Sequence, residues 1–80
     1  MKVKSNIRLV TGVEVPLKFN THTFKVEVGA IKGHWTEAAR HLATSEVNQI
    51  LELLGKAGLS SPDINTIADM VGFKPGFWRP

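Results

Sequence analysis

Apolar and polar residues alternate from the start of the chain. Val3, Ser5, Ile7 and Leu9 fall on one side, and Lys2, Lys4, Asn6 and Arg8 on the other. Successive strand side chains point to opposite faces, so Lys2 to Val10 reads as a half-buried β-strand. Thr11-Gly12 marks a turn, glycine reaching the positive φ that a tight hairpin needs. Alternation then resumes, with Val13, Val15, Leu17 and Phe19 inward and Glu14, Pro16 and Lys18 outward. Pro16 has no N–H to give a ladder, which predicts an unpaired edge there. Asn20-Thr21-His22 reads as the next turn. Thr23–Gly29 fits two patterns. Phe24, Val26 and Val28 alternate as in a strand, while Phe24, Val28 and Ile31 share a helical face; the β-branched residues favour the strand. Gly29 and Gly33 bracket a loop that carries Trp35 into the core.

The period then changes to that of a helix. Thr36 reads as the cap of a short helix over about residues 36–43, with Glu37 in its first turn and Ala38, Ala39 and Leu42 along it. Val47, Ile50, Leu51 and Leu54 form the i, i+3, i+4, i+7 stripe of a helix over about residues 45–57. Thr44 or Ser45 is its expected cap, and Glu46 suits the positive end of the helix dipole. Gly58 ends it, with Leu59 folding back on Leu54. Ser61, Pro62 and Asp63 have the order cap, first helical residue, first-turn acid. Ile64, Ile67, Ala68 and Val71 follow as the stripe of a last helix over about residues 62–71, which Gly72 stops and Phe73 folds back upon. The expected fold is α+β, a two- or three-stranded antiparallel sheet over about residues 2–29 packed on two or three helices. Residues 1–73 form one domain, and 74–80, with two prolines and a glycine, form an irregular aromatic tail. The expected core is Ile7, Leu9, Val15, Leu17, Phe19, Val26, Trp35, Leu42, Ile50, Leu51, Leu54, Ile64, Ile67 and Val71.

Charge adds a direction to this picture. The net charge of +3 is unevenly spread. Lys2, Lys4, Arg8, Lys18, Lys25 and Lys32 face only Glu14 and Glu27 in the first 35 residues. From 36 to 71, Arg40 and Lys56 are outnumbered by Glu37, Glu46, Glu52, Asp63 and Asp69. The sheet end is basic and the helical end acidic, an arrangement that steers a charged partner or brings copies together head to tail. An 80-residue chain without cysteine has no disulfide or thiolate zinc site to supplement its core. So small a domain often relies on self-association, and Pro16 alone is weak protection for a sheet edge. No apolar run approaches the ~18–20 residues that span a bilayer. Met1-Lys2-Val3-Lys4 leads into alternation and not into an apolar signal core. A cytoplasmic protein with no membrane contact is the expectation.

Candidate chemistry is sparse. His34 and His41 are seven positions apart and His22 lies on a separate turn, so no metal-ligand spacing is present. His41 is better placed to pair with Glu37, one helical turn back. Ser60-Ser61 reads as capping and not as a nucleophile, and the glycines lack the Lys-Ser/Thr that follows a phosphate loop. No catalytic residue, cofactor or metal is assigned, and the expectation is a non-enzymatic protein. Two surfaces remain as binding candidates. The tail cluster Phe73, Phe77, Trp78 and Arg79 either folds back over the helix pair or anchors a partner, since it has the residue types of interface hot spots. The alternative is a nucleic-acid face on the outward strand residues Lys2, Lys4, Arg8, Lys18 and Lys25.

Two resemblances bear on function. Ile67-Ala68-Asp69-Met70-Val71-Gly72-Phe73 resembles the Ile-Ala-x-x-Val-Gly-Phe segment that precedes the DNA-reading helix of AraC-type regulators. Here Lys74-Pro75-Gly76 follows, which cannot continue as a helix. The outward positions Asp63, Asn65, Thr66 and Asp69 also offer two acids and no cation to a phosphate-lined groove. A wider likeness runs over about residues 7–72. Gly12-Val13-Glu14-Val15-Pro16-Leu17-Lys18-Phe19 lies in a hairpin, then Ile50-Leu51-Glu52-Leu53-Leu54-Gly55-Lys56-Ala57-Gly58-Leu59, then Pro62-Asp63-Ile64 before a last helix. This order resembles the small tail assembly chaperones of long-tailed phages. The resemblance implies a phage-encoded, non-enzymatic protein acting through protein–protein contact, as an assembly chaperone or a host-factor binder.

Overall fold

Four strands make the sheet among the described residues, where the alternation predicts two or three. The computed structural model describes residues 1–73. It runs β1 (Lys2–Arg8), β2 (Glu14–Asn20), β3 (Lys25–Val28) and β4 (Ile31–His34), then α1 (Trp35–Ala38), a 3-10 turn (Ala39–His41), α2 (Thr44–Lys56) and α3 (Ser61–Met70). The strands form an antiparallel meander in the order β1-β2-β3-β4. The fold is α+β, and Thr23–Gly29 resolves in favour of the strand.

β4 stands where a loop is expected. Gly29-Ala30 is a two-residue hairpin loop, since Val28 pairs with Ile31 across it. Gly29 has φ +59°, which suits the first position of a type II′ turn, and a Cβ there would meet Val15 Cβ at 3.3 Å. β4 has no period-two signature because its inward positions are Ile31 and Gly33, and glycine carries no apolar side chain.

Pro16 is also placed differently. β2 lies between β1 and β3, so Pro16 is not on an edge strand. Its carbonyl accepts from Gly29 N–H at 3.0 Å. A strand residue sends its N–H and C=O the same way, so the missing donor faces the point where β3 has already turned.

Each helix start shifts by about one residue from expectation. His34, not Thr36, caps α1, its Nδ1 accepting from Thr36 N–H at 3.3 Å. The turn after Ala38 tightens to 3-10, which takes His41 out of the i, i+4 relation. Among the described residues, Glu37 and His41 make no ion pair. α2 is preceded by Ala43, which has no capping side chain, and not by Thr44 or Ser45. Glu46 does that work from inside the first turn. Its Oε1 accepts from Ala43 N–H at 2.7 Å and its Oε2 from Val10 N–H at 2.9 Å. Ser60, not Ser61, caps α3, its Oγ accepting from Asp63 N–H at 3.4 Å. The helix ends follow the sequence closely. Leu59 N–H donates to Leu54 O at 3.1 Å and Phe73 N–H to Ala68 O at 3.0 Å, two Schellman stops built on glycines at φ +107° and +76°.

The inward strand residues and the helix stripes meet in one core. Ile7, Leu17, Phe19, Val26, Trp35, Ile50, Leu51, Leu54, Ile64 and Ile67 are buried as expected, joined by Val3, Val28, Ala38, Val47 and Ala68. Leu9, Val15, Leu42 and Val71 are only half-buried at its border. Val13 is 56% exposed, because it closes the β1–β2 loop instead of opening β2. Trp35 is fully buried, meets the Phe19 ring edge-on at 5.3 Å, and donates from Nε1 to Ile67 O at 2.9 Å.

Two stability predictions follow from these ties. Leu51 is fully enclosed, so Leu51→Ala will cost about 2–5 kcal/mol through lost transfer energy and a residual cavity; urea melts will show it as a lower midpoint. Glu46→Ala leaves Val10 N–H and Ala43 N–H without their acceptor and will cost about 1–3 kcal/mol. Faster exchange of those two amides in NMR separates this cause from general loosening.

Candidate functional site

The helices cover one face of the sheet and leave the other bare. The outward positions of β1 are Lys2, Lys4, Asn6 and Arg8, all exposed. The register sets Lys4 beside Lys18, Lys18 beside Glu27 and Glu27 beside Lys32. With strands about 4.8 Å apart, that row is roughly 14 Å long. A second row holds Lys2 opposite Asn20 and Lys25 opposite His34. Arg8 stands opposite Glu14. The face thus gathers all five expected cations, Lys2, Lys4, Arg8, Lys18 and Lys25. Lys32 and His34 join them through β4. These two are missing from the cations expected on the face because the alternation predicts a loop over their segment; the Gly-Ala pair at 29–30 is the hairpin signal that marks them.

The charges on this face are unequal in freedom. Lys18 and Lys32 each approach Glu27 to 3.8 Å in exposed pairs, which solvent screens to little net energy. Lys2, Lys4, Arg8 and Lys25 make no ion pair among the described residues. A shallow depression of about 330 Å³ lies over Lys2, Lys4, Lys18, Asn20 and Lys25. The outward positions carry no phenyl or indole ring on which a base could stack.

The rim of β1 is the second feature of the face. Gln49 of α2 grips Arg8, its Oε1 accepting from Arg8 N–H at 2.8 Å and its Nε2 donating to Arg8 O at 2.7 Å. The pair of bonds is what the backbone of a neighbouring strand would supply. No sequence signal marked Gln49, since a polar helix residue reads simply as solvated.

A groove of about 460 Å³ lies between the β2–β3 turn and the start of α3, beside Phe24, Leu59, Asp63 and Ile67. His22, Ser60 and Asp63 all border it, yet they are not a nucleophilic set. Ser60 Oγ donates to Asp63 Oδ2 at 3.0 Å and accepts from Asp63 N–H, so the hydroxyl is spent on the helix cap. Among the described residues no group of three or more His, Asp or Glu could hold a metal ion. No helix among them is long and apolar enough to cross a membrane.

Of the tail cluster, Phe73 is half-buried against the core at the end of α3. Phe77, Trp78 and Arg79 lie outside the described residues. No protein-family model matches the chain, and comparison with curated proteins and with solved structures gives no match.

Proposed function

We propose that the protein is a non-enzymatic interaction protein that binds an acidic protein partner on the open sheet face. The observation that carries this reading is the bare face itself, six cations against two carboxylates, with Lys2, Lys4, Arg8 and Lys25 unpaired among the described residues. Folding does not need these side chains, because the core lies wholly on the other face. A cationic patch of this kind draws in an acidic partner and fixes its register. The sequence resemblance to phage assembly chaperones supports a partner of the same class, a structural protein or host factor met in the cytoplasm. The small size of the domain adds self-association, away from the sheet edges, to the proposal.

Nucleic acid is the second reading, favoured by the same cations. Against it, Glu27 sits inside the lysine row and Glu14 beside Arg8, where each would repel a phosphate.

The two readings separate in one capture experiment on the source lysate, run with and without nuclease, using the intact chain and the Lys4→Glu/Lys25→Glu variant. A specific protein that survives nuclease and is lost by at least tenfold in the variant is the expected result. A catch released by nuclease means the second reading. In that case the affinity for duplex DNA will fall with salt with a log–log slope no steeper than about −4, set by four free cations. Equal capture by both forms removes the sheet face from either reading.

A further inference from the structure

β1 is an edge strand whose outer rim is open. Its odd-numbered residues spend their backbone groups on the β2 side, as Leu9 N–H to Val13 O at 2.8 Å and Thr21 N–H to Met1 O at 2.9 Å show at its two ends. The even-numbered residues therefore point theirs away from the sheet. Arg8 finds Gln49 there. The backbone N–H and C=O groups of Asn6, Lys4 and Lys2 have no partner among the described residues. Two contacts give the course of α2 beside this rim. Glu46 meets Val10, and Gln49 meets Arg8, so the helix runs antiparallel to β1. Leu53 and Lys56 lie one and two turns beyond Gln49 on the same stripe. Leu53 is half-buried and packed on the core, and this course takes it along the Asn6–Lys2 part of the rim.

Resting on the protein-partner reading above, we infer that the β1 rim receives an extended acidic segment of that partner as a fifth strand. Strand addition draws its affinity from main-chain hydrogen bonds and its choice of sequence from alternate side chains. Both are present here. Asn6, Lys4 and Lys2 offer three donors and three acceptors at strand spacing. Outward side chains of an added strand would stand about 4.5–5.5 Å from Lys2 and Lys4, where Asp or Glu is favoured and Lys or Arg rejected. Its inward side chains would face Leu53, which suits small apolar residues. The fitting segment therefore alternates acid and aliphatic.

A second copy is the wrong occupant. Laying β1 antiparallel on another β1 sets Lys4 on Lys4, Lys2 on Arg8, Lys2 on Lys4 or Lys4 on Arg8, depending on register, and like charges directly opposite are destabilising. The far edge suits less well, since β4 has four residues and its chain turns into α1 at Trp35.

The test uses the intact chain and a blocked heptapeptide, Glu-Val-Glu-Val-Glu-Val-Glu. Two further forms of the peptide are N-methylated, one at every glutamate and one at every valine. Binding is followed by NMR titration and by amide exchange. The expected result is slowed exchange at the Lys2, Lys4 and Asn6 amides, with one methylated form at least tenfold weaker than the other, because only alternate N–H groups of an added strand face β1. Asn6→Pro removes one rim donor without changing charge or any β1–β2 bond, and will weaken the plain peptide at least tenfold while leaving duplex DNA binding unchanged. Equal affinity of both methylated forms, or no peptide binding at millimolar concentration, overturns the inference. The methylated pair needs no variant, so it decides the matter even if Asn6→Pro unfolds. Nuclease-resistant capture in the lysate experiment reports separately on the protein-partner reading, which stands or falls without the strand.

Discussion

The hydrogen bond from Trp35 Nε1 to Ile67 O, 2.9 Å long and fully buried, ties the last helix to the residue at which β4 gives way to α1. It depends on how α3 ends. Within a continuing helix the Ile67 carbonyl would accept from Val71 N–H, but Val71 N–H turns to Ala68 O at 3.2 Å as the Schellman stop closes. One of the orphan carbonyls of the helix end is thereby free for the indole. The same Trp35 donates its backbone N–H to Phe24 O at 2.7 Å, and Phe24 sits at φ 58°. That left-handed conformation is costly for a bulky residue and persists only where its surroundings enforce it. Asn20 helps, its Oδ1 accepting from His22 and Thr23 N–H at 2.9 and 3.2 Å. A single side chain therefore couples the last helix, the β2–β3 turn and the Phe19 ring.

Glu46 is the second tie, at the opposite end of the layer. Its carboxyl is almost fully buried, yet each oxygen has a backbone donor, so burial does not leave it unsatisfied. By holding the β1–β2 loop at Val10 and the helix start at Ala43, it sets α2 against the end of β1. Gln49, three residues on, then reaches Arg8 and no further. The extent of open rim on β1 is thus a consequence of where the helix is pinned.

Much of this was legible in the chain. The alternation at Val3–Leu9 and Val15–Phe19, the stripe at Val47–Leu54 and the glycine stops at Gly58 and Gly72 each have one physical reading, and the structure follows them. What failed were positions where two rules compete. Thr44 and Ser45 are better capping residues than Ala43 by side chain alone, but Glu46 satisfies the start from inside the helix and makes the cap side chain dispensable. Pro16 predicts an edge because a missing donor demands an absent neighbour; here the neighbour is absent only locally, where β3 turns at Gly29. β4 was hidden because a glycine at an inward position erases alternation. The basic face was legible as a list of outward lysines. Its completion by Lys32 and its rim at Asn6–Lys2 were not, since both depend on tertiary pairing.

The face also follows from size. Among the described residues, three helices have enough apolar surface to cover one side of a four-stranded sheet and supply no second layer for the other. The uncovered side must then be made compatible with water, and lysine does this while discouraging edge-to-edge pairing of copies. Cross-strand pairing with Glu27 relieves part of the repulsion among Lys18 and Lys32, but among the described residues no ion pair serves Lys2, Lys4 and Lys25. Solubility alone would be met as well by mixed charges. The excess of cations over Glu14 and Glu27, beside a rim whose backbone groups have no partner among the described residues, is the ground on which the proposed acidic strand rests.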